Sequence, residues 1–267
     1  MKRIIFNIFG DVKVPHQSAP ETKQEKFRKH KDELIHRQKQ YAINCNADFE
    51  SFSTDNIDYN LIQFEKIRKI EELSSYYDEI LYLDLDVIPN TNLNFFEVHD
   101  LNKISCTAFT RQEMDSTREK KKKFVKAMNE GWLDPMNLYV KGALKISMLL
   151  LDNKMSTNSV INTGVVGANK RSIEKLDFTN NIHTMKQTFM HACEDNVYPE
   201  EISSLFQINN EVFFTYLLEK NEIEWNDITL AWNFILDSQI KTFSPACHFI
   251  HQVNKEFEST FDAIQTK

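Results

Sequence analysis

The chain has 267 residues, 41% of them hydrophobic and 27% charged, with a formal net charge of −7. That length can bury one large core or two modest ones, and 5 Gly with 6 Pro exclude collagen-like segments and broad disorder. The acidic balance excludes general nucleic-acid binding, which needs a basic face.

Cys45, Cys106, Cys193 and Cys247 are scattered, without CxxC or metal-ligand spacing, a pattern of reduced core thiols that points to a cytoplasmic protein. No apolar run reaches the length of a membrane span. The opening Met1 to Asp11 has a signal-like look, but its apolar run is too short and lacks a small-residue cleavage site, so residues 3–9 are predicted to be a first strand.

Gly10 and Asp11 are expected to end that strand, and a loop with Pro15 and Pro20 follows. Phe27, Leu34, Ile35, Tyr41 and Ala42 give a helix from Glu21 to about Ile43 its apolar stripe. A short strand is predicted over Phe49–Ser53, with Thr54, Asp55 and Asn56 as N-caps for the next helix. That helix carries Leu61, Phe64, Ile67, Ile70 and Leu73 on one side. Strand, helix, strand, helix, strand is the order of a parallel α/β sheet.

The third strand is the run Ile80-Leu81-Tyr82-Leu83-Asp84-Leu85-Asp86-Val87-Ile88-Pro89. Its apolar residues predict a buried strand that ends at Asp84, with Asp86 on the following turn and Pro89 closing the stretch. Two carboxylates then converge at the carboxyl end of a central strand, where open α/β sheets bind ligands. Like charges so placed raise each other's pKa unless a cation lies between them. A hard divalent cation, Mg²⁺ or Mn²⁺, suits oxygen donors. Asp is also common at turns, so the same pair is compatible with plain strand-end capping.

Beyond Pro89 the pattern predicts a short helix over Leu93–Val98 and a buried strand over Ile104–Phe109. Residues 111–135 hold the run Arg118 to Lys123, which reads either as a solvated helix face or as a loop meeting an anionic acceptor or a membrane surface, with 118–126 as the contact. A helix over 137–151 and a strand over Val160–Ala168 follow. The strand contains Ile161-Asn162-Thr163-Gly164-Val165, and a Gly inside a strand marks a close approach of ligand or backbone. Helices are predicted around 182–193 and 209–220, and Ala246–His251 reads as a late strand.

Together these residues resemble a GT-A glycosyltransferase, of the glycogenin-like retaining type. The resemblance spans roughly residues 3–255. Asp84-Leu85-Asp86 is similar to the family's DxD motif. Lys39-Gln40-Tyr41-Ala42 and Phe64-Glu65-Lys66-Ile67 resemble segments that precede it. Asn162-Thr163-Gly164-Val165 is similar to an N-x-G-V strand, and Asn209-Asn210-Glu211 falls where D-Q-D is common. His248-Phe249-Ile250-His251 with Lys255 is similar to the late H-F-x-G-x-x-K, whose His is a third metal ligand. The register is split: with His248 as that ligand, His251 replaces the family Gly, and with His251, Asn254 does. Strand alternation puts the two rings on opposite faces, and His251 lies nearer Lys255.

The resemblance implies a Rossmann-like, mixed but mostly parallel sheet flanked by helices. It implies one catalytic domain over 1–267, with a nucleotide-binding half of about 1–110 and an acceptor-side half of about 111–267. It implies a metal-dependent transfer, most simply from a UDP-sugar and with retention, to a glycan, lipid-linked or protein acceptor. Asp84, Asp86 and His251 or His248 would hold the metal, and an imidazole ligand favours Mn²⁺ over Mg²⁺. Asn7, Phe9 and Asp11 would line the nucleotide end, with Asp48 nearby. Lys66 would reach donor sugar or phosphate, although its helix position also fits a surface lysine. Lys255 would pair with the diphosphate, and Asn162 and Gly164 would face the sugar. Glu211 and Asn210 would lie at the reacting carbon, and an inverting reaction would need Glu211 or Asp195 as base.

Two rivals use the same residues. A haloacid-dehalogenase-type phosphatase also ends a strand in D-x-D, but after the first strand, and prefers Thr or Val where Ile88 stands. A non-catalytic carbohydrate-binding or scaffold protein would keep the fold without needing the Asp84/Asp86 pair.

Overall fold

The structure, a computed structural model, describes residues 1–12, 21–57, 59–108, 160–183, 187, 210–236 and 241–265. The predicted loop 111–135, the helix 137–151, most of the helix around 182–193 and the basic run 118–126 lie outside them, as do Asp195 and Cys193.

Strand β1 (Arg3–Val12) is followed by helix α1 (Glu21–Asn44) and strand β2 (Asp48–Ile57). Helix α2 (Tyr59–Leu73) leads to strand β3 (Glu79–Leu83), and strand β4 (Val87–Pro89) follows one turn later. Helix α3 (Phe95–Val98), strand β5 (Ile104–Ala108), strand β6 (Ile161–Asn169) and helices α4 (Lys170–Leu176) and α5 (Asn210–Lys220) come next. Strand β7 (Trp225–Asp227), a 3₁₀ turn (Leu230–Trp232), strands β8 (Phe234–Leu236) and β9 (Phe249–Gln252) and helix α6 (Phe257–Gln265) complete the described chain.

A six-stranded sheet has the order β2-β1-β3-β6-β5-β7. β1 pairs parallel with β2 and β3, β5 pairs parallel with β7, and β6 runs antiparallel to β3. Parallel neighbours need a crossover, and α1 and α2 supply it for the first three strands. The sequence-based expectation of an α/β chain with a mostly parallel sheet flanked by helices is what the structure has. A smaller sheet has the order β4-β9-β8.

Several boundaries differ from the sequence expectation. β1 continues through Gly10 and Asp11, and β2 runs through Thr54, Asp55 and Asn56, because Gly10 and Asp11 pair with Thr54 and Asp55 in one parallel ladder. Those residues extend the strand and do not cap α2. Pro89 closes the stretch as expected, one short strand beyond Asp86. It ends β4, an edge strand, the place where a missing N–H is tolerated. Three residues are too short a run to show a period, so the sequence hid β4.

The chain divides into two compact units, one of residues 1–107, 163–175 and 224–267, the other of 108–162 and 176–223. In the first, Ile5, Tyr41, Leu81, Leu83, Phe95, Val165, Trp232 and Phe249 form one buried cluster. The Phe95 ring stacks 6.1 Å from Phe249 and meets the edge of Trp232 at 5.4 Å, and burying such a ring stabilises the fold by about 2–3 kcal/mol. Asn94 starts α3 by accepting the Phe96 N–H, a side-chain cap. Gly167 makes room for this cluster: a Cβ there would come within 2.9 Å of Phe95 Cζ and 3.2 Å of Leu101 Cδ2.

Candidate metal centre

β3 delivers Asp84 at its carboxyl end. The Asp84 N–H donates to Gly164 O on β6 at 2.7 Å, and the Val87 N–H donates back to Asp84 O at 2.9 Å, closing a turn over Leu85 and Asp86. The turn is also held by a side chain. Gln38 of α1, fully buried, donates its amide to Asp84 O at 3.0 Å and Val87 O at 2.8 Å. Its own oxygen accepts from Asn7 Nδ2 at 2.8 Å, and Asn7 Oδ1 accepts from Ser51 at 2.7 Å. A satisfied buried network of this kind fixes one backbone path.

β4 then pairs antiparallel with β9, with Val87 opposite His251. The Gln252 N–H donates to Asp86 O at 2.9 Å. This ladder brings a ring 164 residues downstream of Val87 onto the turn. His251 Nε2 lies 3.4 Å from Asp86 Oδ2 and 3.9 Å from Asp84 Oδ2. One ligand atom from each of Asp84, Asp86 and His251 falls within a 4.8 Å cluster. Two carboxylate oxygens and one imidazole nitrogen suit a divalent cation such as Mn²⁺, so the residues fit the implied metal.

Two lysines balance the carboxylates. Lys66 on α2 sits 3.2 Å from Asp84 Oδ1, and the Lys255 ammonium bonds Asp86 Oδ2. Lys66 is 4% exposed, so it belongs to the interior and is not a surface lysine. Lys255 follows β9 at φ 61°, in the left-handed region that costs a non-glycine residue about 1 kcal/mol. Tyr82 adds a third donor to the pair, giving its hydroxyl proton to Asp84 Oδ1 at 2.5 Å. Burial opposes the Asp86 charge, yet Lys255 and His251 outweigh it and hold this carboxyl well below the usual carboxylate range. Burial, with Asp84 beside it, pushes the Tyr82 hydroxyl well above the ordinary phenol, so it stays a donor.

The structure puts His248 elsewhere. It precedes β9, and its ring packs 4.4 Å from Trp232. Burial lowers its pKa, and it is absent from the Asp84–Asp86–His251 cluster. Asn7 has no exposed surface, and both ends of its amide serve Gln38 and Ser51. Phe9 packs against the cluster of Leu34, Leu85 and Ile88, with Lys31 Nζ 4.1 Å from its ring centre. Asp11 lies on β1 opposite Asp55. Asp48 starts β2, away from Asp84. It pairs with Ile4, and Ile4 pairs with Ile80, which leaves it about four residues, or about 13 Å along the strands, short of Asp84.

In the second unit, Asn162 Nδ2 donates to Glu211 Oε1 at 3.2 Å. Thr215 ties the same two elements, donating to Glu211 O at 2.7 Å and accepting the Ile161 N–H at 3.1 Å. Asn210 opens α5 and is 6% exposed. Gly164 belongs to the first unit, where its carbonyl accepts from Asp84.

Sequence reasoning passed over Gln38, Tyr82, Ser51 and Asn233. Tyr82 carried a usable signal, since residues two apart on a strand share a face and that rule links Tyr82 to Asp84. Gln38, Ser51 and Asn233 had none, because each meets its partner across a long stretch of sequence.

No family model and no curated protein matches this sequence. Among solved structures the chain is similar to a glycosyltransferase involved in glycosylation of the major capsid of PBCV-1, at 11% identity and a TM-score of 0.49, covering 100% of both chains. It is similar to the galactosyltransferase LgtC in complex with donor and acceptor sugar analogues, at 10% identity and a TM-score of 0.46, covering 98% of this chain and 95% of that one. It is also similar to mouse xyloside xylosyltransferase 1, at 12% identity and a TM-score of 0.43, covering 94% and 98%.

Proposed function

We propose that this chain is a metal-dependent glycosyltransferase that moves a sugar from a nucleotide-diphosphate sugar, a UDP-sugar in the simplest case, to a glycan, lipid-linked or protein acceptor. The observation that carries the reading is the convergence of Asp84, Asp86 and His251 within 4.8 Å on a turn at the carboxyl end of β3, inside a mostly parallel sheet. That is a ligand-binding position in α/β sheets.

Asp84, Asp86 and His251 would hold Mn²⁺, or Mg²⁺ in its place. When bound, such a cation supplies neutralisation of the charge that grows on a diphosphate leaving group. The protein's own share is charge and position. Lys255 is assigned to a diphosphate oxygen and Lys66, which lies 3.2 Å from Asp84 Oδ1, to the donor sugar or phosphate. Phe9 and Asp11 are assigned to the nucleotide end, and Asn7 supports that end from below through Ser51 and Gln38. Asn162 and Gly164 are assigned to the sugar.

In the transfer itself, the bond from the anomeric carbon to the diphosphate oxygen breaks and a bond to the acceptor hydroxyl oxygen forms. With retention, the acceptor proton passes to the departing phosphate, and Glu211 and Asn210 position the reacting groups. With inversion, Glu211 takes that proton as general base.

The test is thermal unfolding with UDP, GDP, CMP and ADP, each with and without Mn²⁺. A ligand at 100 times its dissociation constant adds about 2.7 kcal/mol to the native state. The reading expects a stabilisation by one nucleoside diphosphate that requires Mn²⁺ and disappears in Asp86→Asn. Absence of any nucleotide effect on folded protein would count against it.

A further inference from the structure

Two buried side chains outside the proposed ligand set each grip one of its members by the atom that faces away from the cluster. On Asp84 that atom is Oδ1, which accepts from Tyr82 at 2.5 Å and from Lys66 at 3.2 Å. The other oxygen, Oδ2, is the one turned toward His251. On His251 the atom is Nδ1, which lies 3.1 Å from Asn233 Oδ1. The opposite ring nitrogen, Nε2, is the one turned toward Asp84 and Asp86.

Both grips are buried. Tyr82 is 3% exposed, and its ring sits 5.1 Å from the Phe6 ring, with Lys66 Nζ over its face at 5.4 Å. Asn233 is fully buried and His251 is 6% exposed. Asn233 ends the 3₁₀ turn Leu230–Trp232, where its N–H donates to Leu230 O.

The chemistry of each contact sets the state of the ligand. A neutral imidazole carries its proton on one nitrogen and a lone pair on the other. An amide oxygen only accepts, so Asn233 Oδ1 competes with Asp86 Oδ2, 3.4 Å from Nε2, for the one proton of the neutral ring, and a proton drawn to Nδ1 leaves the Nε2 lone pair for a cation. A phenol hydroxyl and an ammonium both donate, so together they occupy Oδ1 of Asp84 and leave Oδ2 to face the cluster.

We propose that Tyr82 and Asn233 are positioning residues of the metal centre. Tyr82 commits Asp84 to bind through Oδ2 alone, and Asn233 commits His251 to the tautomer that binds through Nε2. This deepens the metal reading given above and rests on it.

The test joins two measurements on the full chain. The first is the ring tautomer of His251, read from long-range ¹H–¹⁵N correlations of histidine-labelled protein without metal at alkaline pH, with His251→Gln to assign the signal. Wild type is expected to show the Nδ1–H form, Asn233→Leu to lose that preference and Asn233→Asp to keep it. An Nε2–H wild-type ring, whether from an Asn233 amide turned the other way or from a proton kept toward Asp86 Oδ2, overturns the Asn233 half. The second is Mn²⁺ affinity from free-ion electron paramagnetic resonance. Tyr82→Phe and Asn233→Leu are each expected to weaken it about 10- to 100-fold, and Asn233→Asp to restore it to within a few-fold.

A merely space-filling role would leave Mn²⁺ affinity unchanged in Tyr82→Phe, or would impair Asn233→Leu and Asn233→Asp alike, and either result overturns the proposal for that residue. Should Asn233→Leu fail to fold, Asn233→Asp and the wild-type tautomer still decide it. If wild type takes up no Mn²⁺, the metal reading itself fails, and the tautomer alone decides what Asn233 does to the ring.

Discussion

Val87 and His251 are register partners in the antiparallel ladder between β4 and β9. Through this pairing a three-residue strand, buried at Val87 and Ile88, fixes where the late histidine meets the Asp84–Asp86 turn. The account therefore separates the two late histidines. His251→Ala should abolish the Mn²⁺-dependent thermal shift. His248→Ala should keep that shift and cost about 1 kcal/mol, the ring contact with Trp232. Parallel thermal titrations of the two variants check this.

Gln38 should matter more to stability than its place on a charged helix suggests. Replacing it by Leu removes the Gln38 partner of Val87 O and of the Asn7 amide and leaves Asp84 O with the Val87 N–H alone. Unsatisfied buried groups cost about 1–3 kcal/mol each, so a total loss of roughly 3–5 kcal/mol is expected from urea unfolding. Asn7→Ala should be strongly non-additive with it in a double-mutant cycle.

Much of this site could be read in the sequence, and the reasons are local. The apolar run Ile80–Leu83 followed by Asp84 gave both the buried strand and its carboxyl end, because burial and turn chemistry are written in neighbouring residues. The choice between His248 and His251 could not be made there. It depends on where β9 begins and on its pairing with β4, which is a long-range register. The same holds for Gln38, 46 residues from Asp84, and for Asn233, 18 residues from His251. Both look like ordinary polar positions until the chain is folded.

Gly167→Ala should destabilise the protein by about 1–3 kcal/mol, the usual cost of overpacking, because the new methyl meets the Phe95 ring and Leu101 Cδ2. Phe95→Leu shrinks the obstructing ring. The double variant should therefore lose less than the two single losses combined, as measured by urea unfolding.

The folded-state pKa of Asp86 lies below the unfolded value. Its contribution to stability is thus fully present above the unfolded carboxyl pKa of about 3.9 and is lost as pH falls below that toward the folded value. The stability gap between wild type and Asp86→Asn should hold level down to about pH 5 and narrow below about pH 4. A gap that widens on acidification would contradict the pairing of Asp86 with Lys255 and His251. Denaturant unfolding across an acid pH series measures it.

The central claim is that Asp84, Asp86 and His251 form a divalent-metal site. The most direct measurement is an anomalous difference map from crystals grown with Mn²⁺. The account predicts one peak about 2.2 Å from Asp84 Oδ2, Asp86 Oδ2 and His251 Nε2, lost in Asp86→Asn crystals. A map with no peak at these residues, with Lys255 and Lys66 still bonded to the two carboxylates at saturating Mn²⁺, would contradict it.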